Sequence, residues 1–182
     1  MLYSYNQCLE KYKSDYQIKV AIREGELFKQ EKGIYSDEEH VPELAIIVEK
    51  YPDAVFTLHS AFYYHALTSV VPDYYYLATD RDAAKIRDKR VRQIFCQREL
   101  LYDGVVEIEW QGTPIKVYDR QRMLIELLRN RNKLDYDYYK DIVMEYRDLA
   151  KAKDMQLKRL LAYAKVFPKS SVIEDGLKKE IY

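Results

Sequence analysis

Residues 105–128 read VVEIEWQGTPIKVYDRQRMLIELL, and within this stretch the chain changes from a strand pattern to a helix pattern. Two apolar segments, 105–110 and 114–118, flank Gln111-Gly112, which predicts a β-hairpin. From Asp119 onward the apolar residues recur at helical spacing, as in Met123, Leu124, Leu127 and Leu128. Strands that precede a run of helices are typical of an α+β fold.

Further strands and helices are predicted on both sides of this hairpin. Short apolar runs between turn residues indicate three upstream strands, at 54–56, 74–78 and 92–96. A helix is predicted between the first two strands, at 60–67. Downstream, apolar faces at helical spacing predict helices at 142–150 and 157–164. Ser171 with Glu174 is the capping pair expected for a final short helix.

The first 38 residues predict a smaller module of two short helices and a hairpin. Ser14 and Gln17 form a capping-box pair at the start of the second helix, and Gly25 supplies its stop. The hairpin has short strands at 27–29 and 34–35, joined by the turn residues Glu31, Lys32 and Gly33. A helix followed by a glycine and a short hairpin is typical of a recognition helix that leads into a wing.

We expect a domain boundary near residue 38, where the acidic stretch Asp37-Glu38-Glu39 follows the hairpin. Residues 1–38 then form a winged helix-turn-helix-like module. Residues 39–182 form an α+β domain with a short mixed sheet and a helical C-terminal tail. Pro42 opens this second domain by starting a helix at 43–50.

The composition limits how this chain can meet nucleic acid. Its 30 Lys and Arg residues balance 30 Asp and Glu residues, and the pI is about 6.8. A globally basic nucleic-acid binder is therefore excluded, and any DNA contact has to come from a local patch. Hydrophobic residues make up 48% of the chain, which is enough for a packed core and excludes disorder of the whole chain.

The sequence predicts a soluble protein of the cytoplasm, with no membrane partner. The N-terminus is too polar for the apolar part of a signal peptide, and the apolar runs are too short to span a bilayer. Cys8 and Cys96 lie far apart in the sequence, and we expect both thiols to be reduced, as in an intracellular protein.

Four short motifs follow one another along the chain in a characteristic order. They are the wing end Gly33-Ile34-Tyr35, the segment FTLHSAFYYHALT at 56–68, the hairpin end Val117-Tyr118-Asp119 and the stretch Arg131-Asn132-Lys133. Through this order and spacing the chain, from about residue 14 to about residue 168, resembles the AbiEi-type antitoxins, which are described as regulators of viral defence.

The resemblance implies the antitoxin of a type IV toxin–antitoxin pair, which acts in abortive infection as a phage defence. Such an antitoxin is a transcription regulator whose winged helix-turn-helix binds the promoter of its own operon. Its second domain counters a co-encoded nucleotidyltransferase-like toxin without a stable complex. Relatives carry a further helix before the helix-turn-helix and many extend beyond this C-terminus, so we expect the module at 1–38 to be curtailed. The expected partners are operator DNA, the toxin as a genetic partner, and a second copy of the chain, because one small wing module reads few bases.

Basic and polar side chains on the second helix and the hairpin are the expected DNA contacts. Gln can read adenine and Arg can read guanine through paired hydrogen bonds, whereas Lys and Tyr suit phosphates. The predicted contacts are Tyr16, Gln17, Lys19, Arg23, Lys29 and Lys32. A docking module with a solvated helix face is the alternative for these residues.

A second basic run lies in the larger domain and predicts an anion-binding patch. Each Lys or Arg that contacts a phosphate displaces counterions, which favours binding to DNA. The residues of the predicted patch are Arg81, Lys85, Arg87, Lys89, Arg90 and Arg92. The alternative is that these residues form a solvated surface and bind no specific ligand.

The patterns that catalysis needs are missing from the sequence. His59 and His65 have no Cys or carboxylate at zinc-ligand spacing, and packing of a helix onto the sheet accounts for them. No glycine-rich nucleotide loop occurs. No lysine has an acidic residue two positions earlier, the pair that a metal-dependent nuclease carries on a strand. We therefore expect a protein that is not an enzyme and has no catalytic residues, metal or cofactor.

Two other functions stay open. One is a protein-interaction module without DNA binding, whose tyrosine-rich surface includes Tyr136, Tyr138 and Tyr139. The other is a nucleic-acid-processing enzyme with an unfamiliar site. Salt-dependent DNA binding separates the first from an antitoxin, and loss of function on changing a single carboxylate would favour the second.

Overall fold

Two units make up the computed structural model, which describes residues 1–182: unit 1 spans Met1–Ala54 and unit 2 spans Val55–Tyr182. Each unit contains helices and one sheet, which is antiparallel in unit 1 and mixed in unit 2. This confirms the predicted α+β class. No helix in either unit is both long and apolar enough to cross a membrane.

Unit 1 consists of a three-stranded sheet and three helices. Its elements in chain order are β1 Leu2–Ser4, α1 Tyr5–Tyr12, α2 Asp15–Arg23, β2 Phe28–Glu31, β3 Ile34–Ser36 and α3 Glu43–Lys50. The sheet has the order β1-β3-β2, and both strand pairs are antiparallel. The two predicted helices and the predicted hairpin are therefore present, and β1 is an additional strand.

Local signals set the ends of α2. Ser14 Oγ accepts a hydrogen bond from Gln17 N at 3.2 Å and so caps the N-terminus of the helix. The predicted capping box is present only in this half, because the Gln17 side chain makes no return bond to Ser14 N. Glu24 ends the helix, and Gly25 follows with φ +75°, a conformation that glycine adopts without strain. A buried cluster holds α1, α2 and the sheet together; it comprises Cys8, Ile18, Ala21, Leu27 and Tyr35.

The division between the units falls after Ala54, later than the boundary predicted near residue 38. The reason is α3, which packs against β1 and β3 and buries Leu44, Ile46 and Ile47. The helix at 43–50 was expected to open the second domain. It belongs to unit 1 because the apolar face of this helix is covered by the small sheet.

Unit 2 begins with a mixed five-stranded sheet and one short helix. Its first elements are β4 Val55–Phe56, α4 Leu58–Tyr64, β5 Tyr75–Asp80, β6 Val91–Cys96, β7 Val105–Trp110 and β8 Thr113–Tyr118. The strand order is β6-β5-β4-β8-β7. The pairs β5–β6 and β4–β8 are parallel, and the pairs β4–β5 and β7–β8 are antiparallel. The predicted short mixed sheet is thus confirmed.

Four α-helices and a final π-helical turn follow the sheet. They are α5 Arg120–Arg129, α6 Tyr136–Lys151, α7 Leu157–Val166, α8 Ser170–Gly176 and the turn Leu177–Ile181. Helix α5 buries the predicted face of Met123, Leu124, Leu127 and Leu128. The capping pair predicted for the final helix, Ser171 with Glu174, is wrong, because the N-cap is Lys169, two residues before Ser171, and no side chain caps the helix.

Candidate nucleic-acid interface

One face of α2 carries three of the predicted DNA contacts. Tyr16, Lys19 and Arg23 follow a spacing of three and four residues, which aligns them on a helix. The Tyr16 side chain is 70% exposed, and those of Lys19 and Arg23 are each 74% exposed. On the opposite side Ile18 and Ala21 are buried. The packing of unit 1 therefore turns this face of α2 toward solvent.

The two basic residues on this face are held only by exposed acidic neighbours. Lys19 Nζ lies 2.9 Å from Asp15 Oδ2, and Arg23 Nη2 lies 3.9 Å from Glu24 Oε1. The hydrogen bond to Asp15 raises the pKa of Lys19 and lowers that of Asp15. Because exposed ion pairs contribute little to stability, a phosphate can replace these carboxylates at small cost.

Gln17 is exposed but does not share the face of Tyr16, Lys19 and Arg23. Adjacent residues on a helix point about 100° apart, so Gln17 lies beside this face and not on it. Among the contacts predicted on α2, only Gln17 therefore lies outside the shared face.

The β2–β3 hairpin presents the remaining two predicted contacts. Lys29 on β2 and Lys32 in the turn are both exposed. Glu31, which would weaken the positive charge of the hairpin, is paired with Lys50 Nζ at 2.9 Å, and both side chains are about one-quarter exposed. The hairpin therefore offers Lys29 and Lys32 to an anion while its nearest carboxylate is engaged elsewhere.

The second predicted patch lies on a segment that joins two parallel strands. Residues 81–90, here called the basic loop, connect β5 to β6 without a helix. Gln93 on β6 holds the loop: its Oε1 accepts from Ile86 N at 2.8 Å, and its Nε2 donates to Ala84 O at 3.1 Å and to Thr79 Oγ1 at 2.8 Å. The role of Gln93 could not be recognised from the sequence, because nothing in its local pattern indicates which loop it binds.

The basic residues of the predicted patch have different surroundings. Arg90 makes a two-pronged interaction with Asp88, at 3.0 Å and 2.7 Å, and Arg81 lies 3.8 Å from Asp82. The guanidinium of Arg92 lies 3.7 Å from the centre of the Tyr74 ring. Lys85, Arg87 and Lys89 are exposed and have no acidic partner. Arg92 is also exposed without an acidic partner, and its contact is with the Tyr74 ring.

The histidines have packing roles. His59 is stacked between the rings of Tyr76 and Tyr138, with centroids 4.5 Å and 4.7 Å away. His65 Nε2 lies 2.6 Å from the carbonyl oxygen of Tyr118, which links α4 to the end of β8. Burial lowers the pKa of both imidazoles. No group of three or more His, Cys, Asp or Glu side chains is placed to hold a metal ion.

Of the three tyrosines named for the alternative interaction module, one is exposed. Tyr136 is 67% exposed. Tyr138 is stacked on His59, and Tyr139 is buried and donates from its hydroxyl to Glu180 Oε2 at 2.7 Å. Two of the three tyrosines are therefore engaged within unit 2.

Comparisons with known proteins do not assign this chain to a family. A scan against protein-family models finds no match, and a search of curated proteins finds none either. What can be concluded about function rests on the residues described above.

Proposed function

We propose that this chain is the antitoxin and DNA-binding autorepressor of an abortive-infection toxin–antitoxin operon, acting in the cytoplasm and not as an enzyme. The observation that carries the proposal is the exposed face of α2, with Tyr16, Lys19 and Arg23, beside a hairpin that exposes Lys29 and Lys32. This arrangement supports the function that the resemblance to AbiEi-type antitoxins implies.

The order of elements in unit 1 supports a winged-helix mode of DNA binding. Helices α1 and α2 are followed directly by the β2–β3 hairpin, and β1 completes the sheet on the other side of β3. In helix-turn-helix proteins the second helix enters the major groove and its first residues contact base edges. Here α2 takes the place of that helix, with Tyr16 in its first turn.

Distinct roles follow from the chemistry of the side chains. Arg23 is suited to read guanine, because its planar guanidinium can pair with two acceptors on one base edge. Lys19 and Tyr16 suit backbone phosphates, which position the helix without reading sequence. Lys29 and Lys32 on the hairpin suit the phosphates of the neighbouring backbone, as expected for a wing.

The charge of unit 1 restricts binding to this surface. Acidic residues outnumber basic ones over residues 1–54, mainly because of the stretch from Asp37 to Asp53. Repulsion between these carboxylates and DNA favours a single orientation, with α2 and the hairpin toward the duplex. Because so small a surface contacts few bases, the proposal includes two copies of the chain on a repeated operator.

A reporter gene behind the upstream DNA of this chain's own gene tests the proposal. Supplying the full chain should lower reporter expression severalfold. The double variant Lys19→Ala/Arg23→Ala should restore expression, because both phosphate and base contacts are lost. Lys140→Ala/Lys165→Ala, which removes two exposed lysines of unit 2, is the charge-matched control and should repress like the wild type. Repression that survives the α2 variant would contradict the assignment.

A further inference from the structure

A cluster of basic side chains surrounds a cavity inside unit 2, apart from the proposed DNA interface. The cavity has a volume of about 210 Å³ and lies between α5 and the strands β5 and β6. Its polar lining includes Cys96 from β6, Arg122, Glu126 and Arg129 from α5, and Lys133 from the turn after α5. We call it the arginine cavity.

Arg122 is buried in the wall of this cavity, and two of its guanidinium nitrogens have no hydrogen-bond partner. Its side chain is 1% exposed, and its Nη2 pairs with Glu126 Oε1 at 2.8 Å. The guanidinium is held over the Phe167 ring, 3.5 Å from the ring centre. Neither Nε nor Nη1 has a hydrogen-bond partner. Buried guanidinium donors without acceptors are costly, so a group that supplies acceptors is expected at this place.

The charge of the cavity wall is also uncompensated. Arg129 Nη1 lies 3.0 Å from the same Glu126 oxygen that Arg122 contacts, and Arg129 Nε is a third buried donor without a partner. One carboxylate thus serves two guanidinium groups, and Lys133 adds a further positive charge. The wall carries two more positive charges than negative ones. Burial raises the pKa of the Cys96 thiol, so Cys96 adds no negative charge at neutral pH.

The cavity opens to solvent at a rim of exposed residues. Phe95 is 51% exposed and Gln97, Lys133 and Pro168 are exposed as well. A ligand can therefore enter the cavity from the side of Gln97 and Lys133.

We propose that the arginine cavity binds the phosphate group of a small phosphate monoester. A phosphate carries a charge of about −1.5 to −2 at neutral pH and three acceptor oxygens, which match the excess positive charge and the three unpaired guanidinium donors. Arginine forks bind phosphate through paired hydrogen bonds. The site is in unit 2 and does not depend on DNA binding by unit 1.

Isothermal titration of the full chain with three probes tests this site. Inorganic phosphate and a nucleoside 5′-monophosphate should each bind saturably with one site per chain, and the unphosphorylated nucleoside should not bind. Tighter binding of the monophosphate than of inorganic phosphate would identify an ester as the ligand. Equal affinity for inorganic phosphate and the monophosphate would show that the phosphate group alone accounts for binding. Binding of the nucleoside alone with similar affinity would overturn the proposal.

Variants separate the site from nonspecific attraction. Arg122→Gln should weaken phosphate binding by about tenfold or more, the loss expected for a buried charged hydrogen-bond donor. Lys133→Ala, at an exposed position where folding is not at risk, should weaken it by about three- to tenfold. Glu126→Gln should strengthen binding, because the competing carboxylate charge is removed. Lys140→Ala is the control and should bind like the wild type. No saturable binding at millimolar phosphate, or equal binding in the wild type and Lys133→Ala, would show that the cavity is not a phosphate site.

Discussion

Asp119 joins the sheet of unit 2 to two helices. It is 5% exposed, and its Oδ1 accepts from Arg122 N at 2.7 Å as the N-cap of α5. Its Oδ2 accepts from Tyr163 Oη–H at 3.0 Å and pairs with Arg159 Nη2 at 2.8 Å, both on α7. One carboxylate therefore fixes the start of α5 and the position of α7, which makes Asp119 a strong determinant of stability in unit 2.

Two replacements of Asp119 should destabilise unit 2 to different extents. Asp119→Ala should lower the free energy of unfolding by about 2–3 kcal/mol, because both the cap and the contacts to α7 are lost. Asp119→Asn keeps a capping side chain and should cost about 1 kcal/mol. Denaturant unfolding followed by Trp110, the single tryptophan, measures unit 2 directly. Asp154→Ala removes an exposed carboxylate and should change stability by at most about 0.5 kcal/mol. An equally small effect of Asp119→Ala would contradict this role.

The buried histidines predict a loss of stability in mild acid. Burial lowers the pKa of His59 and His65 below the ordinary value of 6.5. Below that pH the unfolded chain takes up protons that the folded chain excludes. The contribution of the two neutral histidines to the free energy of unfolding should therefore be complete above pH 6.5. It should decrease as the pH falls toward the lowered pKa values of the folded state.

The variant His59→Phe isolates one contribution to this pH dependence. It keeps an aromatic ring between Tyr76 and Tyr138 and removes His59 Nδ1, a buried atom without a hydrogen-bond partner. At neutral pH the variant should be within about 1 kcal/mol of the wild type. Its stability should fall less steeply between neutral pH and pH 5, measured by Trp110 fluorescence at several pH values. His40→Gln changes an exposed histidine and should keep the wild-type slope. An unchanged slope in His59→Phe would rule out His59 as a source.

Local patterns were enough to predict most helices and strands, because alternation and helical spacing are properties of neighbouring residues. The β7–β8 hairpin and the apolar face of α5 are examples. Strand β1 was missed, because three residues carry no periodicity and only the distant partner β3 makes them a strand. The buried position of Arg122 was also missed, since it depends on Phe167, which comes from the end of α7.

The candidate DNA contacts could be predicted from the spacing of neighbouring residues, whereas the side chains that pair with the basic residues could not. The exposed face of α2 follows from the spacing of Tyr16, Lys19 and Arg23. The basic loop could be recognised by composition, but the sequence does not show that Arg90 is occupied by Asp88 or that Gln93 holds the loop. Side-chain pairs across a loop depend on the folded path of the backbone, which single-sequence patterns do not contain.

The basic loop can now be tested with the residues that have no acidic partner. Changing Lys85, Arg87 and Lys89 to Ser should reduce DNA affinity and the steepness of its dependence on salt, if these side chains contact phosphates. Thermal stability should change by less than about 1 kcal/mol, as is usual for surface positions. Arg90→Ser is the control for a paired arginine and should not alter the salt slope. Parallel salt titrations of the triple variant and the wild type would show that the loop makes no phosphate contact.

We propose different functions for the two units of the molecule. Unit 1 holds the proposed DNA interface. Unit 2 holds the arginine cavity and three of the four motifs on which the expected likeness to the antitoxins was based. A fragment that starts near Pro42 would keep α3 without β1 and β3, which cover its apolar face. The better cut is between Ala54 and Val55.

A fragment of residues 55–182 should therefore fold and retain toxin relief. Residues 55–182 form a compact unit by themselves, so we expect a cooperative unfolding transition by Trp110 fluorescence. Expressed with the toxin that we propose as its genetic partner, it should restore growth while failing to repress the reporter. The full chain with Lys19→Ala/Arg23→Ala should behave in the same way. If a folded fragment fails to rescue growth while the full-length double variant succeeds, unit 1 takes part in toxin relief.

A salt titration of binding to the gene's own upstream DNA measures whether α2 of unit 1 contacts DNA. Fluorescence anisotropy with labelled duplex should give wild-type binding whose logarithm falls linearly with the logarithm of salt concentration. Lys19→Ala/Arg23→Ala should bind more weakly, with a slope reduced by about 0.9 for each phosphate contact that is lost. Lys140→Ala/Lys165→Ala should match the wild type in affinity and slope. Equal affinity and slope for the folded α2 variant and the wild type would contradict the account.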